Sequence, residues 1–408
     1  MPLKQQIITF VRRLAGTPEL NARIDVQHAA TSDLAARFDA QQSATTAVAT
    51  RLDQHLNDPA ASFPLQDWWQ TSFWEPTVGL AIRDHCRPGD IVFDVGANAG
   101  ALSMMMSRLV GPRGIVCAFE ASPRIVDKTH HNLVKAGCHN VTLFHKAVWH
   151  SSGHVVNIAA GSHLNDRIEA GNGGMAVRTV ALDDLAKAGH FRPTFIKMDI
   201  EGAEFDALCG MTWLLHEVRP VLALEQAPDD MRCHALLTEA GYAAMDLATY
   251  RRIRSAADFP PGTEVANVLF VPEEAAAGSP YFGSRAPEHE VTIPADRFQI
   301  AANGDITVRD PVMLRPGRYI VGADFTADGT DNEVFAGIEA DGQVIFRYHT
   351  HTRFMAQSYT QWVIQLDHAA RIGPYLRFLR GNDPTLVWKG VDVHRIPAFD
   401  GWESPVIE

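Results

Sequence analysis

Cysteine is scarce in this 408-residue chain, and no pair has Cys-x-x-Cys spacing. The five thiols, at positions 86, 117, 138, 209 and 233, are odd in number and fall mostly in apolar segments. That excludes a disulfide framework and fits reduced thiols in a cytoplasmic protein. No apolar run approaches membrane-spanning length, so no transmembrane segment is expected. Gln5 and Gln6 interrupt the apolar start of the chain beside Lys4, Arg12 and Arg13, which argues against a secretory signal. Positive charge is the minority sign. With 36 Lys plus Arg against 48 Asp plus Glu, the net charge of −12 disfavours broad nucleic-acid binding. What remains is an ordinary globular composition, 46% hydrophobic and 21% charged, long enough for two or three units.

Three regions differ in pattern. In residues 1–60, glycine and proline are absent from Leu20 to His55. There Leu20, Ile24, Gln27, Thr31, Leu34, Phe38, Gln41, Thr45, Val48 and Leu52 follow alternating four- and three-residue steps. One long helix is expected, either a half-polar coiled-coil seam that makes the chain a homo-oligomer or an amphipathic helix packed on its own domain. Leu3, Ile7, Val11 and Leu14 form a shorter stripe that fits a docking helix or peripheral contact with a membrane surface.

Residues 61–273 alternate short apolar runs with segments of helical length. The runs are Ile91 to Phe93, Ile115 to Phe119, Val141 to Phe144, Phe195 to Met198, Val221 to Leu224 and Val268 to Val271. This is the pattern of an α/β fold with a doubly wound, mainly parallel, Rossmann-like sheet. Residues 281–408 instead carry short alternating runs between turn signals such as Arg315-Pro-Gly and Ala340-Asp-Gly. An all-β sandwich or jelly roll is expected there.

The first run ends in Asp94-Val-Gly-Ala-Asn-Ala-Gly100, and the second ends in Glu120. A strand that turns through glycines into a helix lets backbone N–H groups approach a nucleotide-like ligand. A carboxylate at the next strand end can accept from both ribose hydroxyls. The spacing is not Gly-x-Gly-x-x-Gly, so S-adenosylmethionine fits better than a dinucleotide. Asp199 and Glu225 likewise follow apolar runs, so with Asp94 and Glu120 four carboxylates are expected along one edge of the sheet.

Four blocks together resemble the FkbM-type methyltransferases. They are Phe93-Asp-Val-Gly-Ala-Asn-Ala-Gly100, Phe119-Glu-Ala-Ser-Pro123, Val180-Ala-Leu-Asp-Asp-Leu185 and Ile196-Lys-Met-Asp-Ile-Glu-Gly-Ala-Glu-Phe-Asp-Ala-Leu208. The last is the most specific, and the resemblance covers roughly residues 63 to 272. It implies a class I methyltransferase fold, S-adenosylmethionine as donor, and O-methylation of a hydroxyl on a sugar, glycolipid or polyketide.

On this reading Asp94, Gly96, Asn98, Gly100, Glu120 and Ala121 shape the donor site, with Glu75 as a further donor-site candidate. Asp199 and Glu201 are the candidate catalytic acids, with Glu225 and His163 as additional bases. Glu204 is as well explained by capping the following helix. Lys197 is expected in an ion pair or lining the site. No metal is assigned. The aromatic run Trp68-Trp69, Phe73-Trp74 fits helix packing or a lid over the donor. In the C-terminal region Tyr319, Phe325, Tyr348, His349, His351, Tyr359, Trp362 and Trp388 are available for sugar stacking, although half of any alternating strand must face a core. The expected partner is a glycan or other hydroxyl-bearing acceptor. The alternatives are a non-catalytic glycan-binding protein that keeps the donor fold, and an O-methyltransferase of a polyketide or lipid.

Overall fold

The computed structural model describes residues 75–159, 167–169, 174–283, 286–326, 332–351, 361–379 and 385–400. The N-terminal helix expected before residue 60, the aromatic run at 68–74, His163 and Tyr359 lie outside the described residues.

After helix α1 (Pro76–His85) comes strand β1 (Ile91–Val95), followed by α2 (Ala101–Val110), β2 (Ile115–Glu120), α3 (Val126–Lys135) and β3 (Val141–His145). Strands β4 (Ala147–Val148), β5 (Val155–Ala159), β6 (Arg167–Glu169) and β7 (Met175–Val180) form a small separate sheet in the order β4-β7-β5-β6. The main sheet resumes through α4 (Leu182–Gly189), β8 (Phe195–Met198), α5 (Glu204–Cys209), β9 (Val221–Gln226), α6 (Arg232–Glu239), β10 (Tyr242–Asp246), β11 (Arg252–Ile253) and β12 (Ala266–Pro272). Its order is β11-β10-β12-β9-β8-β1-β2-β3. Strands β9, β8, β1, β2 and β3 run parallel, whereas β12, β10 and β11 join antiparallel at one edge.

The inner parallel strands β1, β2, β8 and β9 are largely apolar on both faces, as strands covered by helices on each side must be, whereas the edge strand β3 exposes Thr142 and His145. Val92, Val116 and Phe195 face a core layer shared with α1 and α2, while Phe93, Cys117 and Ile196 face the layer under α4, α5 and α6. The carboxyl ends of β1, β2, β8 and β9 therefore share one edge, which brings the motif residues together.

The C-terminal strands are β13 (Glu288–Pro294), β14 (Phe298–Ile300), β15 (Ile306–Val308), β16 (Val312–Leu314), β17 (Gly317–Thr326), β18 (Glu333–Ala340), β19 (Gln343–His351), β20 (Gln361–Leu366), β21 (Ala370–Phe378) and β22 (Val387–Arg395). One sheet has the order β13-β22-β17-β20. The other has the order β14-β15-β21-β18-β19, with β16 also on β21. All their pairings are antiparallel, and one apolar core lies between the two sheets. Tyr319, Phe325, Trp362 and Trp388 are buried in that core. These four rings are therefore not a sugar-stacking surface, because strand alternation turns them inward.

Part of the outer face of the β13-β22-β17-β20 sheet packs against α1. Ile320, Val363, Ile396 and Phe399 join the same cluster as Val78, Ala81 and Ile82 of α1. The parallel sheet and the sandwich thus belong to one compact unit, joined through α1.

Candidate functional site

The β1–α2 turn is shaped by close backbone approach. Gly96 has φ 81°, and an added Cβ would lie 1.8 Å from the Asp199 carbonyl oxygen. Only glycine fits there. Asn98 adopts φ 48°, and its backbone N–H donates to Glu120 Oε2 at 2.8 Å. The other Glu120 oxygen, Oε1, accepts from Ser122 N at 2.7 Å. Thr129 donates its hydroxyl to the Asn98 carbonyl, and Asn132 Nδ2 donates to Ala99 O at 2.7 Å, so α3 buttresses the turn from behind.

These residues form one wall of a cleft that encloses about 600 Å³ including its open mouth. Gly96, Asn98, Glu120 and Ala121 line it on the β1–β2 side, and Asp199 and Glu201 line it on the β8 side. Ile200 and Ala203 of the Ile196–Leu208 block also line it, together with Lys146, Ala147, Val148 and Ile158, which come from segments with no motif and do not stand out in the sequence. Burial pushes the Glu120 carboxyl above its ordinary value, opposed by its two amide donors. Each of its oxygens retains a lone pair for a ligand hydroxyl.

Asp94 and Gly100 sit beneath the cleft rather than in its wall. Asp94 is fully buried, accepts a hydrogen bond from Ser103 of α2, and has Oδ1 4.0 Å from Lys197 Nζ. Gly100, with φ 88°, starts α2 and packs toward Thr129 and Leu133 of α3. Glu204 is buried, and its Oε1 accepts from Ile200 N at 2.8 Å, so it braces the turn after β8.

Beside the cleft, carboxylates gather around one ammonium. Lys197 is buried and donates to Gly96 O at 3.0 Å and to Asp199 Oδ2 at 3.4 Å. One carboxylate oxygen from each of Glu75, Asp199 and Glu225 lies within 4.8 Å of the others. A divalent cation could fit that spacing, but the Lys197 ammonium, 3.4 Å from Asp199 Oδ2, already supplies positive charge to these acids. The convergent partner of Asp199 and Glu225 is thus Glu75, across the α1 terminus, while Glu201 occupies an exposed turn with φ 56°.

Glu75 is the residue just before α1 and adopts a left-handed conformation, φ 48°. Its residue is only partly buried, yet Oε2 is sealed from solvent without a hydrogen-bond partner. Asn267 of β12, which lies opposite Glu225 in the register, hydrogen-bonds the Glu75 side chain. Burial raises the Glu75 carboxyl to about 7; Lys197 opposes the shift, and Asp199 and Asp94 add to it. Burial followed by the charges of Asp199 and Glu75 pushes Glu225 up to about 9. Burial alone would lower Lys197, but Asp199, Glu75, Asp94 and Glu225 hold its ammonium above the ordinary lysine range.

Residues 94–244 match the family model of the methyltransferase FkbM domain. A hexuronic acid methyltransferase, AglP of Haloferax volcanii, is 30% identical over 173 residues, which are 41% of this chain and 69% of that protein. The chain belongs to the FkbM methyltransferase family. Among solved structures, the FkbM methyltransferase of Methylobacillus flagellatus aligns at 16% identity and TM-score 0.34, covering 49% of this chain and 47% of the other. Fibrillarin of Aeropyrum pernix, solved with natively bound S-adenosyl-L-methionine, aligns at 12% identity and TM-score 0.29, covering 45% and 67%. In this FkbM-family chain the matched span holds Asp94, Glu120, Lys197, Asp199 and Glu225. Glu75 and Asn267 lie on either side of it.

Proposed function

We propose that the protein is an S-adenosylmethionine-dependent O-methyltransferase that methylates a sugar hydroxyl, with uronic-acid glycans as the first acceptor class to test. The observation that carries this is the carboxylate cluster of Glu75, Asp199 and Glu225, whose Asp199 lines the same cleft as Glu120. A cationic donor fits a site rich in carboxylates, and Glu75, whose Oε2 is sealed and unpartnered, acts on that charge through space rather than by contact. The relationship to a hexuronic acid methyltransferase supports a sugar acceptor.

In this assignment Glu120 accepts from the ribose hydroxyls, and the turn at Gly96 and Asn98 closes around the donor. When bound, S-adenosylmethionine supplies an activated methyl group on a positively charged sulfur. Alignment of the acceptor hydroxyl then does most of the work. Asp199, held by Lys197 and opening to the cleft, is placed to take the hydroxyl proton, with the Glu75 carboxylate beside it as the proton's further acceptor.

Calorimetric titration with S-adenosylmethionine, followed by transfer of labelled methyl groups to glucuronate- and galacturonate-containing oligosaccharides, tests the assignment. Donor binding with label on a sugar hydroxyl is expected. A folded chain that binds no donor overturns the reading, and donor binding with label only on lipid or polyketide acceptors overturns the sugar assignment.

A further inference from the structure

The junction between the sandwich and the parallel sheet holds a buried ion pair that the donor cleft does not use. Arg318 of β17 is fully buried, and its guanidinium meets Asp84, near the end of α1, in a bidentate pair at 2.5 and 2.9 Å. Tyr281 donates to Asp84 Oδ2 at 2.6 Å, Arg318 Nε donates to Gln365 at 3.0 Å, and the guanidinium lies 3.8 Å from the centre of the Phe399 ring. Replacing such a pair with packed apolar groups is commonly neutral or stabilising, so stability alone does not account for it. What the fork geometry does impose is a single orientation of the element that carries Asp84.

That element is α1. At its other end, about 13.5 Å away by helical rise, is Glu75. Between the two ends Val78, Ala81 and Ile82 are locked into the core that also contains Ile320, Val363 and Phe399 of the sandwich. Glu75 itself sits at φ 48°, a conformation a non-glycine residue keeps only when its surroundings hold it there.

We propose that Arg318 and Asp84 are positioning residues that set the place of Glu75 in the carboxylate cluster, which makes the sandwich a working part of the methyl-transfer site. This rests on the donor-site reading above. The sandwich acts through a rigid lever: a clamp on one end of α1 fixes the approach of a carboxylate at the other. Displacements of the order of 1 Å at a reacting centre change rates about a hundredfold, so a helix held at its far end is a sensitive control.

A double-mutant cycle in the full-length chain tests this, with S-adenosylmethionine affinity by calorimetry as the readout and circular dichroism as the check on folding. Arg318→Lys keeps the charge and loses the fork. It is expected to weaken donor binding about tenfold when Glu75 is present, and less than about twofold in the Glu75→Gln chain, because the two residues act in series. Equal losses in both backgrounds, or no loss in a folded Arg318→Lys chain, overturn the proposal. Should Arg318→Lys fail to fold, Tyr281→Phe removes only the hydroxyl that holds Asp84 and enters the same cycle with the same expected and overturning results. A wild-type chain that binds no donor overturns the donor-site reading itself, whereas donor binding without coupling overturns the clamp alone.

Discussion

The Cβ that Gly96 lacks would stand 1.8 Å from the Asp199 carbonyl oxygen, so the turn after β1 and the end of β8 are fitted to each other at one atom. Gly96→Ala therefore forces the two strand ends apart and adds a strained φ. A stability loss of about 2 kcal/mol or more is expected, with donor binding lost before global unfolding. Thermal melts combined with calorimetry check the order of these two effects; unchanged donor affinity would contradict it.

Lys197 is the counter-charge of a crowded site. Lys197→Met removes the ammonium from among Asp94, Asp199, Glu75 and Glu225 and leaves buried acids uncompensated. A destabilisation of about 3–5 kcal/mol is expected from breaking a buried pair, moderated because these acids can take up protons. Adding Glu75→Gln to Lys197→Met should recover part of the loss. Denaturant melts of the single and double variants measure this.

Glu120 is buried with one amide donor on each oxygen. Glu120→Gln turns one acceptor into a donor that faces a backbone N–H, and it also removes the hydroxyl acceptor proposed for the ribose. Donor affinity should fall by about tenfold to a hundredfold, in the range for losing charge-assisted hydrogen bonds of about 1.5–3 kcal/mol. An affinity change under twofold would remove Glu120 from the donor site.

The raised carboxyls make two pH dependences. Glu75, at about 7, becomes neutral as pH falls below that value, so affinity for a cationic donor should drop between pH 8 and 6. Stability has the opposite sign. Glu75 and Glu225, raised to about 7 and about 9, bind protons more tightly folded than unfolded. Their contribution is complete below the ordinary glutamate range and is lost as pH rises through those values. The melting temperature should decline from pH 6 to 9, and Glu225→Gln should raise it at pH 9 by about 2–4 °C.

Ending the chain after Ser279 would expose the apolar face of α1 and take Arg318 and Tyr281 away from Asp84. The shortened chain is expected to be insoluble or to bind ANS strongly, because an exposed patch of this kind drives association. A soluble, monomeric truncation with full donor affinity would contradict the shared core.

The parallel half of the fold is legible in the sequence because local periodicity and motif agree there. The runs at 91–93, 115–119, 141–144, 195–198 and 221–224 all lie within strands of the parallel part of the sheet, and Gly96, Asn98 and Glu120 meet at its edge. Glu120 and Asp199 announce themselves as acids ending apolar runs. Strands β10, β13, β14 and β16 escape the same reading, since β10 is a small-residue segment and the others are short or carry charge on their open side. Asn267 and Lys146 carry no motif.

The sequence by itself determined which residues end the strands, because alternation and strand-terminal acids are properties of neighbours along the chain. It also carried the family signature. Only the tertiary structure decided that Glu75 rather than Glu201 completes the cluster with Asp199 and Glu225, that Asp94 turns inward to Ser103 and Lys197, and that Tyr319, Phe325, Trp362 and Trp388 lie in the core of the sandwich. Those outcomes depend on contacts between residues far apart in sequence, 150 positions in the case of Glu75 and Glu225. The burial that sets their charge exists only once α1, β9 and β12 have packed together.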